Sequence, residues 1–166
     1  MKYLAVSNQL FVKNRALFNS KITSNDIAIF NSNDIMPTNA DGSMPFRQNN
    51  DLLWLSGIDQ EESVLIIFPN HPNKNMREVL FLKETNEHIA IWEGIKLTKD
   101  GAYITSGIKK VFWLNELNRK LVELISKADS IYLNENIHSR SASEVQTRDD
   151  RFRVMISEKF PNKAIK

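Results

Sequence analysis

The groups able to do chemistry in this chain are scattered, and spacing gathers few of them. His71, His88 and His138 have no carboxylate or second histidine three or four residues further on. There is therefore no local metal signature and no His-Glu-x-x-His motif, and each histidine reads as a surface residue. The chain has no cysteine, which excludes thiolate nucleophiles, disulfides and cysteine zinc sites. Gly-x-Ser-x-Gly is missing, so no serine sits in a nucleophile elbow. Gly94 and Gly101 precede Lys109 without the phosphate-loop spacing. Glu61-Glu62 and Asp149-Asp150 are adjacent pairs. Neighbours point to opposite faces of a strand and diverge by about 100° on a helix, so neither pair makes an acid–base dyad and both read as solvated surface. Arg148, Arg151 and Arg153 are offset by Asp149 and Asp150, the pattern of a salt-laced solvated helix rather than a nucleic-acid face.

Two features survive that screen. Arg47 and Asp51 lie in Pro45-Phe46-Arg47-Gln48-Asn49-Asn50-Asp51-Leu52-Leu53-Trp54-Leu55-Ser56-Gly57-Ile58, a polar cluster running into apolar residues and closed by Gly57. Beyond Glu61 and Glu62, Val64 to Phe68 is purely apolar and ends at Pro69, the pattern of a strand buried on both faces. This places residues 46–58 at the entry to the centre of a sheet. Arg47 and Asp51 are then either a satisfied structural ion pair or one wall of a site. Trp92 stands before Glu93-Gly94 in a stretch too weakly patterned for a core element. An aromatic beside a loop glycine is either a binding anchor or a side chain packed on its own sheet.

The elements that must position these residues read as follows. Ser7 caps a first helix with Leu10, Phe11, Asn14, Leu17 and Phe18 on one face. Ile27 to Phe30 is a short buried strand, and the polar stretch 31–42 is a loop. Val79 to Leu82 follows the turn residues 70–75 and pairs with Val64 to Phe68 as a hairpin. Residues 100–106 form a short helix ended by Gly107, and Val111 to Leu114 a strand. Leu114, Leu117, Leu121, Leu124 and Ala128 recur at helical steps and predict a core-facing amphipathic helix. Ile131 to Leu133 reads as the last strand, residues 143–160 as a charged helix, and 162–166 as a tail without a closing element. Alternating helices and strands with one hairpin give an α/β class with a mixed sheet of about six strands flanked by helices, in one domain over 1–166.

Composition agrees with a folded domain. The chain has 166 residues, 42% hydrophobic and 25% charged, with a formal charge of +2. A chain of that length buries about 70% of its unfolded surface. Near-neutral charge gives no pull toward nucleic acid, and no run approaches the ~20 apolar residues of a membrane span. The expectation is a soluble, cytoplasmic protein without membrane or nucleic-acid partners. By residues alone it is an α/β domain without a self-contained active site.

The stretch 45–58 resembles the signature of the N-terminal domain of Xaa-Pro aminopeptidases (aminopeptidase P), Tyr-Pro-Phe-Arg-Gln-Asn-Ser-Asp-Phe-Tyr-Tyr-Leu-Thr-Gly-Phe. Glu61 to Leu65, Val79 to Leu82, Trp92-Glu93-Gly94 and Gly107 to Leu117 fall in the same order. The resemblance runs from the Arg15 helix to about Tyr132. It departs at Met44 for tyrosine, Asn50 for serine, Ser56 for threonine and Ile58 for phenylalanine, which bears on substrate range.

The resemblance implies the creatinase/prolidase N-terminal fold, with its ribonuclease H-like motif. It also implies a parent metallopeptidase that removes the first residue from peptides with proline second. In that family two ions, usually manganese, sit in a "pita-bread" catalytic domain, which this chain is expected to lack. The chain alone is then expected to hold no metal, no catalytic residue and no activity. The implied partners are its own catalytic domain, peptide substrates with proline second, and a homo-oligomer, dimer or tetramer. Trp92 matches the family tryptophan that walls a neighbouring subunit's substrate pocket, and Asp41 matches an aspartate near that site. Pro45, Phe46, Arg47, Gln48, Asp51 and Gly57 belong to the signature as structural residues. The alternatives are a non-enzymatic peptide- or protein-binding module of the same fold, and the N-terminal domain of a prolidase or creatinase relative.

Overall fold

A computed structural model describes residues 6–22, 24–141 and 143–166, with Trp92 described by its backbone alone. The apolar runs become strands β1 (Ile27–Asn31), β2 (Val64–Ile67), β3 (Glu78–Leu82), β4 (Lys110–Trp113), β5 (Ser130–Leu133) and β6 (Ala164–Ile165). They form one six-stranded sheet in the order β4-β3-β2-β1-β5-β6. β2 pairs antiparallel with β1 and β3, and the expected hairpin is β2–β3, with Leu65 opposite Leu80. β1/β5, β3/β4 and β5/β6 are parallel, so the sheet is mixed.

Strand alternation divides the core into two layers. Ile27, Ile29, Val64, Ile66, Val79, Phe81 and Ile131 face one side, packed by Leu121, Leu124 and Ile125 of α5 (Leu117–Ile125) and Ile156 of α6 (Arg148–Lys159). Ala28, Phe30, Leu65, Ile67, Leu80 and Leu82 face the other, packed by Leu52 and Leu55 of α2 (Asn50–Ser56) and Ala102 of α4 (Lys99–Ser106). Each fully buried leucine or isoleucine contributes about 1.5–3 kcal/mol of transfer free energy. α1 (Asn8–Asn19) lies over α2 and α4, and α3 (Glu87–Glu93) follows β3.

Several expectations need correction. Residues 50–56, placed at the entry to the sheet with no element assigned, form α2. The Asn49 side chain accepts from the Asp51 and Leu52 amides, Asp51 complements the helix dipole, and Gly57 at φ 70° caps the end. The tail does close the sheet, as β6. Lys166 N–H donates to the Ile131 carbonyl, and the Leu133 N–H donates to Lys166. The Trp92 segment is a short helix rather than a loop, capped by the Asn86 side chain. His71 is buried, with the Asn73 N–H on its Nδ1, and Glu61 is buried beside Lys96. The charged helix starts later than expected, at Arg148, where Thr147 and Asp150 make a capping box. The leucine-rich helix starts at Leu117, after a 3-10 turn over Leu114–Glu116.

The face of α1 is also rotated from the expected one. Leu10 and Leu17 are exposed, while Phe11, Asn14, Arg15 and Phe18 turn inward. Arg15 is 1% exposed. Its Nη1 donates to the Leu55 carbonyl at 2.8 Å and the Ser106 carbonyl at 3.0 Å, at the carboxyl ends of α2 and α4. Its Nε reaches Glu78 of β3 at 2.8 Å. A cation there satisfies carbonyls that have no helical partner and complements both dipoles. The approach needs glycine: a Cβ on Gly57 would lie 2.3 Å from the Phe11 ring, and one on Gly107 2.7 Å from Val12.

Candidate functional site

β1 and β5 run parallel, so their carboxyl ends open on the same edge of the sheet, where antiparallel β2 begins. Open α/β sheets place ligands beyond strand carboxyl ends where the strand order reverses, which in this sheet is between β1 and β5. Here that position holds an open cleft of about 460 Å³, lined by Asn33, Arg47, Gln48, Asn49, Asn50, Asp51, Asn134, Glu135, Asn136 and Asp149. The loops after β1 and β5, the entry to α2 and the first turn of α6 supply these residues.

Gln48 fixes the floor. Its Nε2 donates to the carbonyls of Ile58 (3.0 Å) and Gln60 (2.8 Å), while its Oε1 accepts the amides of Asn33 (3.3 Å) and Asn49 (2.8 Å). A buried amide with both ends used holds the neighbouring backbone in one geometry. Asp149 accepts from Asn31 Nδ2 at 3.0 Å and Asn49 Nδ2 at 3.2 Å. Burial pushes its carboxyl above the ordinary aspartate range, Asn31 opposes this, and the charges of Asp150 and Asp51 add to it. Asn134 Nδ2 donates to Asp51 Oδ2 at 2.9 Å, tying the loop after β5 to α2.

The signature residues separate in space. Arg47, Gln48 and Asp51 share this cleft, but Arg47 and Asp51 are both exposed and form no ion pair with each other. Among the described residues no carboxylate lies within salt-bridge distance of Arg47, so its guanidinium is open to a ligand. Pro45 and Phe46 instead line a second cleft, with Gln60 and residues 95–97. Gly57 serves α2 and the seat of α1. Asp41 sits exposed near the tip of a small arm closed by the Pro37–Ser43 bridge, and Trp92 lies on α3. Asp41 does not line the Arg47 cleft.

Sequence reasoning gave no site role to Asn134 and set Asp149 aside as solvated surface. A signal for the second was present, since the Thr147-x-x-Asp150 box marks a helix start and so places Asp149 in its first turn. What the spacing could not give is the meeting of that turn with the end of β1. Chemically, the cleft offers a guanidinium, amides and carboxylates suited to holding a polar ligand. Among the described residues no three histidine or acidic groups converge as a metal site.

A model of the family described as "Aminopeptidase P, N-terminal domain" matches residues 11–132. The chain is 26% identical over 127 residues to the Xaa-Pro aminopeptidase of Escherichia coli K12, which covers 76% of this chain and 29% of that protein. An uncharacterized peptidase of Saccharomyces cerevisiae is 30% identical over 143 residues, covering 84% of this chain and 26% of its own length. In fold, aminopeptidase PepP of Pseudomonas aeruginosa superposes with a TM-score of 0.77 at 20% identity, covering 98% of this chain and 36% of that one. Aminopeptidase P of E. coli superposes at 0.75 with 22% identity, covering 98% and 37%. The chain thus spans under a third of the length of these curated relatives. Since the matched segment takes in most of β1–β5 and the whole 45–58 signature, the chain belongs to the aminopeptidase P N-terminal domain family.

Proposed function

We propose that residues 1–166 serve as the non-catalytic N-terminal domain of an Xaa-Pro aminopeptidase, which removes the first residue of peptides whose second is proline. In this reading the chemistry and its two manganese ions belong to a catalytic domain outside these residues. The present domain joins subunits into a homo-oligomer and shapes the peptide pocket of a neighbour. Trp92 supplies an apolar wall for the proline ring, and Asp41 a carboxylate near the same pocket.

The observation that carries the reading is the exposure of α3 and the segment after it. No side chain described on α3 is buried, Ile91 is 73% exposed and Ile95 95% exposed. A helix and following segment that keep Ile91 and Ile95 in water beside a tryptophan position are suited to meet another surface. The test is Trp92→Ala in the natural full-length protein. Cleavage of short Xaa-Pro peptides should weaken through a raised KM while bound metal stays constant. Unchanged kinetics would overturn the assigned role of Trp92.

A further inference from the structure

The sheet ends on β4, which pairs with β3 alone. Successive residues of a strand turn their N–H and C=O groups to alternate edges, so half of those on β4 face outward. The neighbouring helices pack on the two faces of the strand, α5 on the side of Phe112 and α4 on the side of Val111 and Trp113. Among the described residues, no backbone group of residues 109–112 bonds to backbone outside the β3 ladder.

Lysines surround this edge. Lys110 and Lys120 hold their ammonium groups 4.9 and 5.2 Å from the centre of the Phe112 ring. Lys99 stands 4.7 Å from the centre of the Trp113 ring, and the exposed Lys109 leads into the strand. Attraction to the ring faces keeps these ammonium groups beside β4. Lys120 is paired with Glu123, but among the described residues no carboxylate lies within salt-bridge distance of Lys99, Lys109 or Lys110.

These cations decide which strand can add there. A second copy pairing antiparallel about the middle of β4 keeps like faces together. It would bring Lys110 of one copy to Phe112 of the other, which already carries Lys110 and Lys120. Like charges across a strand pair are destabilising, and an edge lysine commonly bars self-pairing. An acidic strand meets the opposite situation, since its backbone completes the edge while its carboxylates pair with the lysines on both faces. A nucleic-acid backbone offers charge but no alternating donors and acceptors.

We infer that β4 docks an extended acidic peptide segment of a partner protein by strand addition, its carboxylates facing Lys99, Lys109 and Lys110. The inference uses neither Trp92 nor Asp41, so it stands or falls apart from the aminopeptidase reading.

The experiment titrates the isotope-labelled 166-residue chain with acetyl-Glu-Val-Glu-Glu-Val-Glu-amide and follows backbone amide resonances by NMR at low salt. Resonances of residues 109–113 should shift and saturate, and added salt should weaken binding. Acetyl-Glu-Pro-Glu-Glu-Pro-Glu-amide keeps the charge but lacks the valine amide donors, and acetyl-Lys-Val-Lys-Lys-Val-Lys-amide reverses the charge. Both should bind at least about tenfold more weakly. Lys110→Glu should weaken binding of the first peptide about fivefold. Lys109→Glu, at an exposed position, should act in the same direction and decides the matter if the first variant does not fold. An equal response to the proline peptide or to an oligothymidylate would mean that charge alone is read, and would overturn the inference. So would shifts located elsewhere or unchanged binding by a folded variant. Shifts of β4 residues with chain concentration in the absence of peptide would make a second copy the occupant and overturn it as well.

Discussion

Arg15 and Arg47 are the same side chain put to opposite uses. Arg15 is buried across the ends of two helices and bonded to Leu55, Ser106 and Glu78. Arg47 stands in an open cleft, with no carboxylate in salt-bridge reach among the described residues. The junction of α1, α2 and α4 around Arg15 is closed, and the guanidinium there is bonded on both its Nη1 and Nε. The strand-end region is open and amide-rich, and its Arg47 and Asp51 form no ion pair with each other. The contrast teaches that the residue fixing the architecture is not the one the signature advertises.

The largest expected effect tests that contrast directly. Arg15→Ala removes the cation from two helix ends and strands Glu78, which should cost about 3–5 kcal/mol, as for breaking a buried pair. Arg47→Ala should stay within about 0.5 kcal/mol, as for an exposed site. Denaturant midpoints of the two variants measure the difference, and similar losses would break the comparison. Next comes Gly57→Ala, which places a Cβ 2.3 Å from the Phe11 ring at a backbone φ of +70°. Strain at positive φ together with overpacking should cost about 1–3 kcal/mol, measured the same way.

Much of the fold was legible, for physical reasons that differ by element. Val64 to Ile67 and Val79 to Leu82 are unbroken apolar runs bounded by polar residues or turn formers, and both became strands. α2 went unassigned because Leu52-Leu53-Trp54-Leu55 has no helical spacing of its apolar residues when read alone. Asn49 and Gly57 carried the helix signals, and Leu53 and Trp54 in fact face outward. Arg15 was invisible because an arginine on an amphipathic helix reads as solvated. Only tertiary packing brings the ends of α2 and α4 to it. β6 has two residues and no pattern, so its pairing with β5 is likewise tertiary. In the cleft, Arg47, Gln48 and Asp51 are close in sequence and were legible as a group. Asn134 and Asp149 reach them from far along the chain.

Two aspartates sharpen the comparison through pH, with smaller effects. Asp26, 1% exposed at the start of β1, accepts hydrogen bonds from Ser24, Ser130 and Lys166 of the β6 segment. Burial pushes its carboxyl up, but the bonds from Lys166, Ser130 and Ser24 outweigh this and bring it down to about 2. A depressed folded pKa means that its contribution is complete above the ordinary value of 3.8 and is lost as pH falls through about 2. Asp26→Asn should therefore lose stability near neutral pH and approach wild type in strong acid. Thermal midpoints against pH measure this.

Asp149 in the open cleft has the opposite sign. Its folded pKa is raised by burial, so its favourable contribution is present below the unfolded value and declines as pH rises through the folded one. Asp149→Asn removes the half-buried charge and keeps an acceptor for Asn31, but sets a donor against the Asn49 amide. These terms oppose each other, and the net change at neutral pH should stay within about 1 kcal/mol. The gap between variant and wild type should move in the variant's favour as pH rises from 3 to 7, while the Asp26→Asn gap moves against its variant. Parallel slopes for the two would show that the cleft carboxylate is held as firmly as the buried one, and the division between a closed, satisfied region and an open one would fail.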